Sequence, residues 1–296
     1  MVILMIIGLS TTNGIDMELA ELLDMEHHRI VYKVFPDGES YIRYPVKVDD
    51  RSIVLVQTTY PNQDKRLVEL LLALEAAKEL GAKRIIAVVP YLAYARQDKR
   101  FLEGEAVSIK YVLKMIRRAG ADVLITVDIH KEDSLRHFEG ESYNISAVPV
   151  LADYIIKHEE LKMPIVLAPD LGALNRAKTM GEIIGAEYDY LEKARDRVTG
   201  LIKVKPKKIG VEGRDVVIVD DVISTGGTIA KAASICRELG ARKIVVACTH
   251  ALLIGNALER IRDSGVNTII ASNTVAAPIK LVSVSPIIAN LLSKIL

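Results

Sequence analysis

The segment Val216 to Thr228, VVIVDDVISTGGT, carries the densest chemistry in the chain. Its apolar start, Val216 to Val219, reads as a buried strand. Two adjacent acids, Asp220 and Asp221, come next, then Ser224-Thr225-Gly226-Gly227-Thr228. A helical pattern begins at once, with Ile229, Ala232, Ala233 and Cys236 on one face. A strand, a tight loop and a helix start make an anion site. The first N–H groups of a helix lack partners, and glycines admit a close backbone approach to a phosphate. The two acids suit the hydroxyls of a sugar or a hard divalent cation. The segment therefore predicts a phosphorylated sugar.

Other candidates each compete with a plainer reading. Arg96-Gln97-Asp98-Lys99-Arg100 follows the apolar run Ile85 to Val89. Three cations around an acid make an ordinary solvated loop, but the strand end and the amide of Gln97 favour a nucleotide or polyphosphate contact. Asp128-Ile129-His130 closes the run Val123 to Val127, and a histidine beside a strand-end acid is a metal-site signal. Asp170, after Ile165 to Leu167, is another acid at a strand end. Phe35-Pro36-Asp37-Gly38-Glu39 follows the predicted strand Ile30 to Val34 and by itself is only a turn. Glu192, Lys193, Arg195, Asp196 and Arg197 form a charge run with Gly200 behind it. Such a run is usually a solvated loop, and it is also what a phosphoryl-transfer site uses as a closing lid. Lys203, Lys205, Lys207 and Lys208 read as the polar face of a β-hairpin. No GxxxxGK[ST] loop and no protein-kinase signature set occurs, so ATP would need another architecture.

These residues must be positioned by a duplicated α/β frame. Glu79-Leu-Gly-Ala-Lys-Arg-Ile-Ile-Ala-Val-Val89 and Glu238-Leu-Gly-Ala-Arg-Lys-Ile-Val-Val-Ala-Cys248 are nearly identical. Each is a helix end, a glycine cap and a strand. Strands alternating with helices imply parallel sheets, with ligands at the carboxyl ends of the strands. The expected fold is α/β, with two similar domains over 1–145 and 146–277 and a tail, 278–296, packing back on the first. The first-half loop Thr58 to Asp64 lacks the paired acids and glycines of the second, so the two copies have different roles. With 39 basic and 38 acidic residues, net charge offers no broad footprint for nucleic acid or an anionic membrane. The apolar start Val2 to Ile7 reads as a first strand, not a signal peptide. Cys236 and Cys248 read as core residues of a reducing, cytoplasmic protein.

The loop Asp220 to Thr228 resembles the 5-phosphoribosyl 1-diphosphate loop of the type I phosphoribosyltransferase fold. Taken in order, Phe35 to Glu39, Arg96-Gln97-Asp98, Asp128 to His130, Pro169-Asp170, Lys193 to Arg195 and Val219 to Thr228 resemble the ribose-phosphate diphosphokinase family along essentially the whole chain. The resemblance implies two phosphoribosyltransferase-like domains, ATP and ribose 5-phosphate as substrates, and Mg2+ as cofactor. By it, Phe35, Asp37 and Glu39 contact adenine from a neighbouring subunit of a homo-oligomer, and Arg96 and Gln97 bind the nucleotide. His130 and Asp170, with Asp128, hold metal. Lys193 and Arg195 form the catalytic lid. Asp220, Asp221, Ser224, Thr225, Gly226, Gly227 and Thr228 bind ribose 5-phosphate. Ser224 and Gly226 depart from the aspartate and alanine of many members and resemble the archaeal ones. The alternatives are a phosphoribosyltransferase, which needs neither Arg96-Gln97 nor a second α/β half, and a non-catalytic regulatory relative.

Overall fold

The structure is a computed structural model that describes residues 4–195, 202–206 and 210–296, with the backbone alone at 193–195 and 202–206. The chain divides into two compact units, Met1–Ser146 with Val284–Leu296, and Ala147–Ser283. The first runs β1 (Leu4–Gly8), α1 (Ile15–Leu23), β2 (Glu26–Arg29), β3 (Val31–Val34), β4 (Ser40–Arg43), β5 (Ser52–Val56), α2 (Gln63–Glu79), β6 (Arg84–Val89), α3 (Ser108–Arg118), β7 (Val123–Val127) and β8 (Glu141–Ile145). Six of these strands form one sheet in the order β2-β1-β5-β6-β7-β8, every pairing parallel. Strands β5 and β7 are buried along their whole length, as strands covered on both faces must be. Helix α2 turns Leu67, Leu70 and Leu74 onto that sheet.

The second unit runs α4 (Val148–His158), β9 (Ile165–Ala168), α5 (Leu174–Ile184), β10 (Glu187–Arg195), β11 (Ile202–Pro206), β12 (Asp215–Ile223), α6 (Gly227–Glu238), β13 (Lys243–Ala251), α7 (Ala257–Asp263), β14 (Thr268–Ser272) and β15 (Lys280–Val282). Its sheet has the order β11-β10-β9-β12-β13-β14-β15, parallel except for β10 against β11. The final helix, α8 (Ser285–Ile295), belongs to the first unit, where it packs against α1 and its Ile295 carbonyl accepts from Arg84 Nη1 at 2.8 Å. The tail therefore starts later than position 278, because Lys280 to Val282 pairs with Ile270 to Ser272 as an edge strand of the second sheet.

Both sheets reverse direction of growth at one place. Successive strands depart to opposite sides of β1, toward β2 and β5, and to opposite sides of β9, toward β10 and β12. In open α/β sheets ligands lodge outside the carboxyl ends of strands at such a reversal. In the first unit those ends lead into Ser10 and Gln57; in the second they lead into Asp170 after β9 and Ser224 after β12, whose last residues include the Asp220–Asp221 pair. Cys236 and Cys248 are buried and unbridged, and burial pushes the Cys236 thiol up to about 12. Among the described residues no helix is long and apolar enough to cross a membrane.

Candidate active site

The second-unit loop is shaped by where its carbonyls go. The Ile223 carbonyl accepts from the N–H groups of Leu252 and Leu253, the Ser224 carbonyl from Ile254 N–H at 3.0 Å, and the Thr225 carbonyl from Arg260 Nη1 at 2.7 Å. The Gly226 carbonyl takes the first bond of α6, from Ala230 N–H at 2.9 Å. In a trans peptide the N–H points opposite to the preceding C=O. Fixing four successive carbonyls therefore aims the N–H groups of Ser224 to Gly227 the other way, and the helix start adds its own unpaired donors. Successive main-chain donors of this kind are what an anion-binding nest is made of. Gly226, at φ 74, is required: a Cβ would lie 3.0 Å from the Ala257 carbonyl oxygen and 3.1 Å from the Ile261 side chain. Gly227 is different, since a Cβ there meets only Thr225 Oγ1 at 4.0 Å. Its open side faces a cavity of about 290 Å³ lined by Pro169, Asp170, Leu191, Gly227, Thr228 and Lys231, among others.

The acids stand just before this nest. Strand β12 does not end at Val219 but continues through both of them to Ile223, with Asp220 opposite Cys248 and Val222 opposite His250. Asp220 Oδ1 accepts from Asp221 N–H at 2.9 Å, and Asp221 Oδ1 from Val222 N–H at 3.0 Å. Asp221 is buried, with Arg176 Nη2 3.3 Å from its Oδ2. Burial, and then the charge of Asp221, push the Asp220 carboxyl up to about 8. A pair of carboxylates so placed gains from hydroxyl donors or a cation.

In the first unit Phe35 to Glu39 is the tip of the two-stranded β3–β4 hairpin, closed by the pair Val34–Ser40. Phe35 N–H donates to the Glu39 carbonyl at 2.8 Å, and Glu39 N–H to Asp37 Oδ1 at 3.1 Å. Phe35 stays 39% exposed, braced edge-on by Tyr41 with Lys33 Nζ 4.8 Å from its ring. Arg96 and Gln97 follow β6. Arg96 is exposed, whereas Gln97 Nε2 lies 3.5 Å from Glu105 Oε2, whose carboxylate also accepts from the N–H groups of Phe101 and Leu102. Asp128, at φ 40, and His130 sit at the carboxyl end of β7 in the first unit. Asp170 caps the turn after β9 in the second, accepting from Gly172 N–H at 2.8 Å. A larger groove of about 930 Å³, between Ile42–Asp49 and the end of α2, holds none of these residues.

Three comparisons bear on this arrangement. The family model for the N-terminal domain of ribose phosphate pyrophosphokinase matches residues 4–120, and that for the phosphoribosyl transferase domain matches 145–281. A ribose-phosphate pyrophosphokinase of Sulfurisphaera tokodaii is 47% identical over 97% of this chain and 99% of its own. The chain belongs to the ribose-phosphate pyrophosphokinase family. One of Methanopyrus kandleri is 44% identical over 96% of this chain and 97% of its own. The crystal structure of phosphoribosylpyrophosphate synthetase from Mycobacterium smegmatis superposes with a TM-score of 0.88 at 28% identity, covering 99% of this chain and 98% of that one.

Within this ribose-phosphate pyrophosphokinase frame, the basic segment differs from the expected loop. Lys193 and Arg195 lie on β10, in antiparallel register with Val204 and Ile202. Asp196, Arg197, Gly200, Lys207 and Lys208 lie outside the described residues, as do Val2 and Ile3 of the expected first strand. Two site residues escaped the sequence reading. Arg176 on α5 reaches Asp221 only through the tertiary fold, and its buried Nε makes no hydrogen bond among the described residues. Lys231 lines the cavity one helical turn after Thr228, a spacing that was visible. Among the described residues no three His, Cys, Asp or Glu side chains form a metal cluster.

Two outcomes follow for the second-unit site. Gly227→Val should weaken ribose 5-phosphate binding by about tenfold or more, the scale of one charge-assisted hydrogen bond, with ATP affinity nearly unchanged. Calorimetric titration of each ligand checks this, and equal loss for both would place the sugar phosphate elsewhere. The second outcome concerns pH. An unfolded aspartate titrates near 3.8 and folded Asp220 near 8, so in that window the native state holds a proton the unfolded chain has lost. Stability without ligands therefore falls as pH rises through the window. Asp220→Asn should lose less Tm than the wild type between about pH 6 and about pH 8.5 in chelator, and parallel curves would remove the assigned titration.

Proposed function

We propose that the protein transfers the diphosphoryl group of ATP to the C1 hydroxyl of ribose 5-phosphate, giving 5-phosphoribosyl 1-diphosphate and AMP for nucleotide biosynthesis. The observation that carries this reading is the nest at Ser224 to Gly227, with the half-buried Asp220 and the buried Asp221 before it and Thr228 and Lys231 beside it. The nest takes the 5-phosphate. Asp220 and Asp221 accept from the ribose hydroxyls and orient the sugar. The nucleotide is bound by Arg96 and Gln97 and by Phe35, Asp37 and Glu39, the last three offered by a neighbouring copy in a homo-oligomer. The C1 hydroxyl oxygen attacks the β-phosphorus in line and gives up its proton to solvent, the bond to the α,β-bridging oxygen breaks, and that oxygen leaves on AMP. Lys193 and Arg195 supply positive charge to the phosphates as charge grows, so the chain contributes positioning and electrostatics rather than a covalent intermediate. We assign magnesium to Asp128 and His130 after β7 and to Asp170 after β9; bound there it would neutralise phosphate charge. A cytoplasmic setting agrees with the unbridged cysteines.

The test is product analysis by phosphorus NMR after incubation with ATP, magnesium and ribose 5-phosphate. AMP and 5-phosphoribosyl 1-diphosphate in equal amounts are expected. ADP with ribose 1,5-bisphosphate, or no turnover, overturns the reading.

A further inference from the structure

Helix α2 buries a carboxylate that none of the roles above uses. Glu69 is fully buried, yet its side chain gathers donors from five separate segments. Ser10, after β1, donates its hydroxyl to Oε2, and Gln57 Nε2, after β5, lies 3.3 Å from the same oxygen. Arg66 Nη1, one turn earlier on α2, is 2.9 Å away and also donates to Ser10 Oγ at 2.8 Å. On the other side Ser40 Oγ donates to Oε1 at 3.0 Å, and the Tyr32 hydroxyl donates to the same carboxylate. Burial pushes the Glu69 carboxyl up, but the hydrogen bonds from Ser10, Arg66 and Tyr32 together hold it below the ordinary value.

Two of those donors belong to the hairpin. Tyr32 lies on β3 and Ser40 on β4, and Ser40 is the first residue after the Phe35–Glu39 turn, in the pair that closes it. This hairpin joins neither large sheet. An isolated two-stranded hairpin is marginal in water, so its orientation must come from what it touches. Tyr32 and Ile42 give it a partly buried apolar footing, which resists separation without fixing an angle. Directional bonds from both strands to one immobile acceptor fix the angle. The acceptor is immobile because Ser10, Gln57 and Arg66 hold it to the carboxyl ends of β1 and β5 and to the start of α2.

We propose that Glu69 is a positioning residue for nucleotide recognition: its buried carboxylate ties the hydroxyls of Tyr32 and Ser40 to the sheet and so aims the turn that presents Phe35, Asp37 and Glu39. This rests on the assignment of that turn to adenine. The residue never meets substrate. Its loss should change nucleotide affinity and base selectivity far more than the rate of transfer or the affinity for ribose 5-phosphate.

The test compares Glu69→Gln, Tyr32→Phe, Ser40→Ala and Ser40→Thr in steady-state assays with ATP and with GTP, and compares all of them with Phe35→Ala by calorimetric titration of each nucleotide. Tyr32→Phe and Ser40→Ala should each raise KM for ATP by about fivefold, the scale of one hydrogen bond to a charged group, and narrow the preference for ATP over GTP. Ser40→Thr, which keeps the hydroxyl, should restore the wild-type KM. In a Glu69→Gln background, Tyr32→Phe should add little, since both act through one carboxylate. If Glu69→Gln does not fold, the two hydroxyl variants decide. Phe35→Ala separates the two levels. If it weakens ATP binding while Tyr32→Phe and Ser40→Ala leave nucleotide affinity, KM and selectivity unchanged, the turn binds nucleotide and Glu69 does not aim it. If Phe35→Ala also changes nothing, the turn is not a nucleotide contact and both assignments fall.

Discussion

Lys193→Ala should lower kcat by roughly 100-fold or more, about 3 kcal/mol, the scale of removing one preorganised charge donor. KM for ribose 5-phosphate should change little. Charge builds on the departing phosphate oxygen only as the bond breaks, so a cation that meets it stabilises the transition state more than the bound reactants. Lys193 stands on a β10 backbone held by pairing with β11, a better base for aiming a charge than an irregular loop. Lys205→Ala provides the control. It removes the same charge from the neighbouring strand, at the position paired with Glu192, and should leave kcat near wild type. A rapid-quench measurement of the chemical step separates this effect from product release. Near-wild-type turnover by Lys193→Ala removes the assignment.

The second large effect concerns assembly. Neither Phe35→Ala nor Arg96→Ala subunits should be active alone, and co-refolded mixtures should recover activity. If each site takes Arg96 from one subunit and Phe35 from its neighbour, an equal, random mixture makes both intact at about one site in four, half of one half. Phe35 supports this division, because an exposed ring at a hairpin tip is poorly used in water. A mixture that stays inactive after proven subunit exchange, or a fully active wild-type monomer, overturns the shared arrangement.

Much of this architecture was legible in the chain, because apolar runs closed by glycine-capped helices say strand and crossover whatever their context. Val123 to Val127 and Ile165 to Leu167 became β7 and β9 for that reason. What stayed hidden was structure that contradicts its local composition. Two aspartates look like the end of a strand, yet β12 runs through them because β13 continues to pair alongside. The edge strand β2, Glu-His-His-Arg, has no apolar alternation, and β4 was masked by the turn before it. Lys280 to Val282 is too short to announce itself and became a strand only beside Ile270 to Ser272. Within the site, the loop Ser224 to Thr228 could be read from spacing, since consecutive residues share a loop. Arg176 could not, because nothing local ties it to Asp221, and Glu69 reads as an ordinary polar position on a helix.

The two helices that follow the reversal points begin alike. Asn62 precedes α2 at φ 62 and Gly226 precedes α6 at φ 74, both left-handed. Asparagine tolerates this backbone at modest cost, whereas at Gly226 the Ala257 carbonyl and Ile261 crowd the place a Cβ would take. A left-handed residue at the helix entrance is thus common to both copies, while ψ, 59 at Asn62 and −2 at Gly226, and the side chains around it differ. If the two halves descend from one ancestral half, its specialisation kept a left-handed residue before the helix while the loop ahead of it diverged. The first copy could take on a new ligand by altering side chains around an inherited bend, and the same economy makes that bend a natural place to graft an anion pocket by design.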